Sequence, residues 1–182
     1  MPIKRSFLEL PVSIDIDSLL AEYRSISDAA WGATHWSGAH CSIDMVLLRG
    51  GTSGGPEDFS AKEVANSPLL ESLPRFAELV GEEGPFGGCS HAFIFRMRPH
   101  GITRIHRDLD PAWYDPFRIH VPLISNPGAL MMSAGRSLHF SVGKAWTFDN
   151  QDLHAVVNGS ETRVHLILDV PGNVCAGVCS GV

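Results

Sequence analysis

The residues best suited to chemistry lie in "HRDLD" (106–110), which offers an imidazole at His106 and a carboxylate at Asp108. On an extended strand residues i and i+2 face the same way, so the two could present a nitrogen and an oxygen to one ion. A third ligand is available downstream at His154 in "FDNQDLHAVVN", where a turn rich in Asp and Asn opens a new strand. Two histidines and one carboxylate on one face of an octahedral ion leave three positions open, the arrangement used by non-haem Fe(II) oxygenases. Those positions suit a bidentate 2-oxo acid and dioxygen. Such chemistry also needs a cation for the far carboxylate of 2-oxoglutarate, a task that fits the bidentate fork of arginine. Arg163 opens the strand "RVHLILDV", and Arg118 is a second guanidinium expected to face inward.

Other meanings of "HRDLD" have to be weighed. A protein-kinase catalytic loop reads H-R-D-L-x-x-x-N, and its Asn holds a second magnesium ion. Trp113 stands at that position, and no glycine-rich G-x-G-x-x-G loop precedes it, so a kinase is excluded. A solvated strand end is the plain alternative for an isolated H-x-D triplet. The same ligands could instead hold zinc for a hydrolase or isomerase, a reading with no use for Arg163. They could also serve a cupin-like sensor that binds without turnover.

The elements that must position these groups are mostly strands. From Phe93 onward eight short β-rich runs follow one another between turns, from "AFIFRMR" to "RVHLILDV", the spacing of an all-β sandwich or barrel. This predicts a mainly β fold: a double-stranded β-helix, or jelly roll of the cupin type, with a few flanking N-terminal helices. Alternation places Arg118, His120 and Pro122 on one face and Ile119, Val121 and Leu123 on the other. Arg163 and His165 likewise oppose Val164, Leu166 and Leu168, while Ser137, His139 and Ser141 oppose Leu138, Phe140 and Val142. With the apolar faces packed outward, the polar faces would line an interior cavity. His139 and His165 read as satisfied structural histidines, and Arg98, Arg104 and Arg107 as exposed charge.

The first half predicts helices over Asp17–Ile26, with a capping acid, and over Ser67–Val80, interrupted at Pro74. Between them "CSIDMVLLRGG" reads as a strand running into the loop "GGTSGGPEDFS", which lacks the Lys-Ser/Thr ending of a phosphate-binding loop. His35, His40, Trp31 and Trp36 could cap the barrel mouth, and Trp113 and Tyr114 could form a lid wall.

The stretch from "FRMRPHGITRIHRD" through "FRIHVPLISN" and "VGKAWTFDNQDLHAVVN" to "RVHLILDV" resembles the aspartyl/asparaginyl β-hydroxylase family of Fe(II)- and 2-oxoglutarate-dependent dioxygenases. It is most similar to the small bacterial branch that resembles amino-acid (proline) hydroxylases. The resemblance implies iron ligands at His106, Asp108 and His154. It implies that Arg163 binds the distal carboxylate of 2-oxoglutarate, with Arg118 and His120 near the co-substrate. Fe(II), 2-oxoglutarate and O2 would together hydroxylate an unactivated C–H bond of an amino acid or amino-acid-derived small molecule, with succinate and CO2 as co-products. The animal aspartyl β-hydroxylases lack the carboxylate ligand that Asp108 supplies. That difference favours the complete three-ligand branch over peptide aspartyl hydroxylation; a peptide or carrier-bound residue is the alternative substrate.

Composition narrows the partners. Fourteen basic against twenty acidic side chains give a net charge of -6, with no Lys/Arg-rich run to follow a phosphate backbone, which argues against nucleic acid. The absence of any run of about eighteen apolar residues argues against a membrane span, and a soluble cytoplasmic protein is expected. Cys41, Cys89, Cys175 and Cys179 are too few and too unevenly placed for a disulfide framework. One dioxygenase domain is expected over 1–182: helices, edge strands and lid in 1–92, the catalytic jelly-roll core in 93–170, and a tail in 171–182.

Overall fold

Uninterrupted apolar runs such as "AFIF" and "LIL" are the pattern of strands covered on both faces, and they form the middle of the larger of two sheets. The computed structural model describes residues 7–33, 40, 42–52, 63–86, 88–108 and 116–171. Several expectations lie outside the described residues: those for His35, Trp36, Trp113 and Tyr114, for most of the glycine-rich loop, and for Cys41, Cys175 and Cys179.

In chain order the elements are β1 (Leu8–Leu10), α1 (Ile16–Ser25), a 3-10 turn (Asp28–Ala30), β2 (Gly32–Ala33), β3 (Ile43–Gly51) and β4 (Val64–Asn66). There follow α2 (Pro68–Glu71), α3 (Pro74–Val80), β5 (His91–Met97), β6 (Ile102–His106), β7 (Pro116–Ile124) and β8 (Leu130–Ser133). The last four are β9 (Arg136–Leu138), β10 (Ala145–Thr147), β11 (His154–Val157) and β12 (Arg163–Pro171). The larger sheet runs β1-β10-β7-β12-β5-β3-β2, with β4 added on β3, and the smaller runs β6-β11-β8-β9. All pairings are antiparallel. This is the expected mainly β jelly roll.

The two faces of the larger sheet carry different chemistry. Its outer face, with Val46, Ile94, Ile119, Val121, Leu166 and Leu168, packs against Leu19 of α1 and Phe76, Leu79 and Val80 of α3 in one apolar cluster. Its inner face contributes Met45, Phe93, Phe95 and Ile167 to a second cluster, closed from the smaller sheet by Met131 and Val156. Fully burying a large apolar side chain stabilises by roughly 1.5–3 kcal/mol, so both faces hold the sheet in place. Covered on both sides, the inner face can carry the polar groups of β7 and β12 out of water.

Three details differ from the sequence reading. Helix α1 starts one residue earlier than expected, and its cap is Asp15, whose carboxylate accepts from Ser18 N at 3.2 Å, while Asp17 sits in the first turn. Pro68 and Pro74 each open a helix, where a missing N–H costs nothing. Strand β3, expected at an edge, pairs with β5 along one side and with β2 and β4 on the other, so it lies inside the sheet. Its burial on both faces accounts for that place.

The turn between β5 and β6 aims β6 at the site. There a Cβ on Gly101 would lie 2.7 Å from Met97 Cγ and 2.9 Å from Arg98 O, so only glycine fits. Buried Asn158 fastens the turn: its backbone N–H donates to Gly101 O (2.9 Å), and its side-chain amide donates to Arg98 O and Glu161 O (both 2.8 Å). Its Oδ1 accepts from Asn126 Nδ2 at 3.0 Å. Asn158→Ala strips these carbonyls of their donor, and the expected loss is about 2–3 kcal/mol. A urea titration checks this as a lowered midpoint at unchanged slope.

Candidate active site

β6 is an edge strand, and it carries a bulge. His106 pairs with His154 and Thr103 with Val156, so that Arg104 and Ile105 together oppose Ala155. The extra residue changes the parity, and Thr103 and His106, three apart, both line the inner pocket. Ile105 is turned outward and is 69% exposed. The strand stops at His106, so Asp108 is not delivered by strand alternation as the i, i+2 spacing suggested. Instead its N–H donates to Asn150 O at 3.1 Å, which ties the segment after β6 to the turn before β11.

One ligand atom from each of His106, Asp108 and His154 lies within 4.8 Å of the others. His106 Nδ1 is 2.7 Å from Arg104 O, and His154 Nδ1 is 2.9 Å from Asp152 O. A carbonyl only accepts, so each Nδ1 carries the proton and each Nε2 keeps a lone pair. Both lone pairs face Asp108 Oδ1, at 3.4 and 3.7 Å. Buried His106 Nε2 has no hydrogen-bond partner despite that approach, because it meets another acceptor. Three converging acceptors, two imidazole nitrogens and one carboxylate oxygen, fit a divalent cation of the iron or zinc type.

The second carboxylate oxygen is already occupied. Asp108 Oδ2 accepts from Arg118 Nη1 at 2.6 Å and from Asn150 Nδ2 at 3.1 Å. Arg118 in turn grips wholly buried Asp169 through two parallel bonds, Nε to Oδ1 at 2.8 Å and Nη2 to Oδ2 at 2.9 Å. Burial pushes the Asp108 carboxyl up, but Arg118, His106, His154 and Asn150 outweigh it and hold the group well below the usual carboxylate range. It is therefore ionised, as a metal ligand must be. Burial pushes His154 down, whereas at His106 it is outweighed by Asp108 and the Arg104 carbonyl, which raise the pKa.

A second feature lies deeper in the pocket. Arg163 is 5% exposed, and no carboxylate lies within ion-pair distance of it among the described residues. Its Nη2 donates to His165 Nδ1 at 2.9 Å. Guanidinium cannot accept, so His165 Nδ1 carries the lone pair and Nε2 the proton. Burial, with the Arg163 charge, holds His165 well below its ordinary value and keeps it neutral, and burial alone pushes Arg163 down to about 9. His120 sits nearby against Phe148, Phe140 and His165, with neither ring nitrogen hydrogen-bonded. Burial, then Arg163 and Arg118, keep it neutral as well. A buried cation lacking its anion, beside imidazoles with unused capacity, is a site for an anionic group.

His106, Asp108, His154, Arg118, His120 and Arg163 all line one pocket. Arg118 reaches it with its guanidinium committed to two carboxylates. His40 also lines the mouth, its ring centroid 4.7 Å from that of His106. His165 is bonded at one nitrogen only, and Arg98, Arg104 and Arg107 are exposed as expected. The "SLHFSV" faces are reversed: Phe140 is buried against His120 and His165, and half-buried His139 meets Ser125 Oγ at 3.0 Å. Only Ser137 and Leu138 of it belong to the smaller sheet, in β9; Phe140 follows the strand and packs inward, while Val142 is exposed. Sequence reasoning missed Asn150 and Asp169. A lone acid in the apolar run of β12, on the same parity as Arg163, was the available signal.

The model of the aspartyl/asparaginyl beta-hydroxylase family matches residues 57–172. L-proline cis-4-hydroxylase from Rhizobium meliloti is 27% identical over 161 residues, which cover 84% of this chain. The matched region spans 56% of that relative's length. Among solved structures, a 2OG-Fe(II) oxygenase family oxidoreductase from Burkholderia pseudomallei superposes with a TM-score of 0.62 at 14% identity, covering 91% of this chain and 84% of the other. A Pseudomonas putida prolyl-4-hydroxylase gives 0.57 at 12% identity, covering 92% and 93%. These structures share the fold. No described helix is long and apolar enough to cross a membrane.

His120 and His165, neutral and buried in the native state, regain an ordinary pKa of about 6.5 on unfolding. The unfolded chain then binds more protons below that pH, so stability falls as the pH drops, by up to about 1.4 kcal/mol per unit for each histidine. His154 adds to this slope and His106 opposes it. Urea midpoints of the metal-free protein should decline from pH 7.5 to 5.5, and His165→Gln, which keeps an acceptor for Arg163, should flatten the decline.

Proposed function

The chain belongs to the aspartyl/asparaginyl β-hydroxylase family, and on that premise we propose that it is an Fe(II)- and 2-oxoglutarate-dependent dioxygenase acting on an amino acid or amino-acid-derived small molecule. The observation that carries this reading is the presence, in one pocket, of a His/Asp/His trio and a buried arginine without an anion. A zinc hydrolase would account for the trio and leave Arg163 unexplained.

His106, Asp108 and His154 hold the metal. Bound iron supplies the oxidative chemistry: dioxygen is consumed, 2-oxoglutarate is decarboxylated to succinate and CO2, and a C–H bond of the substrate becomes C–OH. Arg163 neutralises the distal carboxylate of 2-oxoglutarate and fixes its direction. The protonated Nε2 of His165 and neutral His120 supply hydrogen bonds beside it. Phe95, Phe148, Met131 and Ile167 form apolar walls that limit water around the reacting atoms. Proline is the first substrate to test, since a curated relative is named for hydroxylating it.

With Fe(II), 2-oxoglutarate and O2, the purified protein should form succinate, and L-proline or another member of an amino-acid panel should increase the yield. His154→Ala should abolish turnover. Turnover that proceeds with zinc and needs no 2-oxoglutarate would reject the proposal. Arg163→Met should act in two directions. Removing an unpaired buried charge should raise the melting temperature of the ligand-free protein, while 2-oxoglutarate binding, read by calorimetry, should weaken on the order of 100-fold.

A further inference from the structure

Asp169 is not one of the three candidate ligands, yet it ends a chain of bonds that begins at one of them, Asp108. We propose that Asp169 is a positioning residue that acts through Arg118 to fix which oxygen of Asp108 is offered to the metal. The proposal rests on reading the trio as a metal site. It concerns a residue that neither the ligand set nor the co-substrate pocket includes.

Asp169 is 0% exposed and lies on β12 with Arg163, between β5 and β7. Its register partner on β7 is Arg118 itself, so the two side chains leave neighbouring backbones on the same inner face. The fork of Arg118 closes on both oxygens of Asp169, which sets the plane of the guanidinium. The remaining nitrogen, Nη1, is held in that plane, and it donates to Asp108 Oδ2 at 2.6 Å. Asn150 occupies the same oxygen from the other side (3.1 Å). With Oδ2 taken twice, coordination falls to Oδ1, the atom facing both histidines.

Charge gives Asp169 a second role. An unpaired Arg118 would stand in the pocket as a second cation, able to draw Asp108 out of the ligand set or to compete with Arg163 for an anion. Asp169 neutralises it, so the pocket offers one anion-binding guanidinium, Arg163, at one depth. The backbone carbonyl of Asp169 is itself held by Ser90, through N–H at 2.8 Å and Oγ at 3.1 Å.

The test is anaerobic titration of the full chain with Co(II), following the visible d–d bands and the heat of binding, beside melting curves of the metal-free protein. Asp169→Asn should weaken Co(II) binding by about 10–100-fold and alter the band pattern as Asp108 loses its fixed mode. The paired variant Arg118→Met with Asp169→Leu removes both members of the buried Arg118–Asp169 pair, so neither is left as an unmatched charge in the core, and it should show the same loss. If both folded variants bind Co(II) within twofold of wild type, or if only the melting temperature moves, Asp169 is structural and the proposal is wrong. His154→Ala serves as the control for the site. If it binds Co(II) as wild type does, the reading of the trio fails, whatever Asp169 does.

Discussion

A guanidinium buried without a carboxylate is unfavourable, and the inner face of the larger sheet is arranged so that Arg163 can remain one. Its outer face supplies the stability, through the apolar cluster shared with α1 and α3. Its inner face keeps the neighbours of Arg163 neutral: His120 and His165 are held uncharged by burial and by the arginine itself. The other inward arginine, Arg118, is matched by Asp169 and Asp108. Among the described residues, Arg163 is thus the inward guanidinium of this sheet left without a carboxylate.

Much of this was legible before any coordinates. Strand alternation works on β7 and β12 because each is an interior strand with two distinct faces, so Arg118, His120, Arg163 and His165 were correctly placed inward. The same rule misassigned "SLHFSV", whose strand ends at Leu138 and where Phe140 packs inward while Val142 is exposed. Alternation carries the period of a strand and no information on which face is the inside. That sign comes from what covers the sheet, a property of distant chain segments.

What stayed hidden has a common cause. The bulge in β6, the tie from Asp108 to Asn150 and the partnership of Arg118 with Asp169 all depend on register between strands remote in sequence. The interior place of β3 depends on pairing with β5 across the intervening helices. Residue types announced the ligands. Their aim is set by long-range pairing that local patterns do not encode, and for that reason the sequence alone does not single out Asp169.

The bulge in β6 has a consequence for how this chain can vary. Thr103 and His106, an odd number of residues apart, face the same cavity only because the bulge takes up the extra residue. Substitutions at Arg104 and Ile105, which point to solvent, alter the surface and leave that spacing intact. Losing a single residue there would restore the regular i, i+2 spacing and remove the bulge with His106 still facing inward, whereas gaining one would demand a further irregularity in the ladder. The candidate site is therefore tolerant of spelling at this point, and a one-residue gap in a related sequence would mark a strand without the bulge and not a lost ligand.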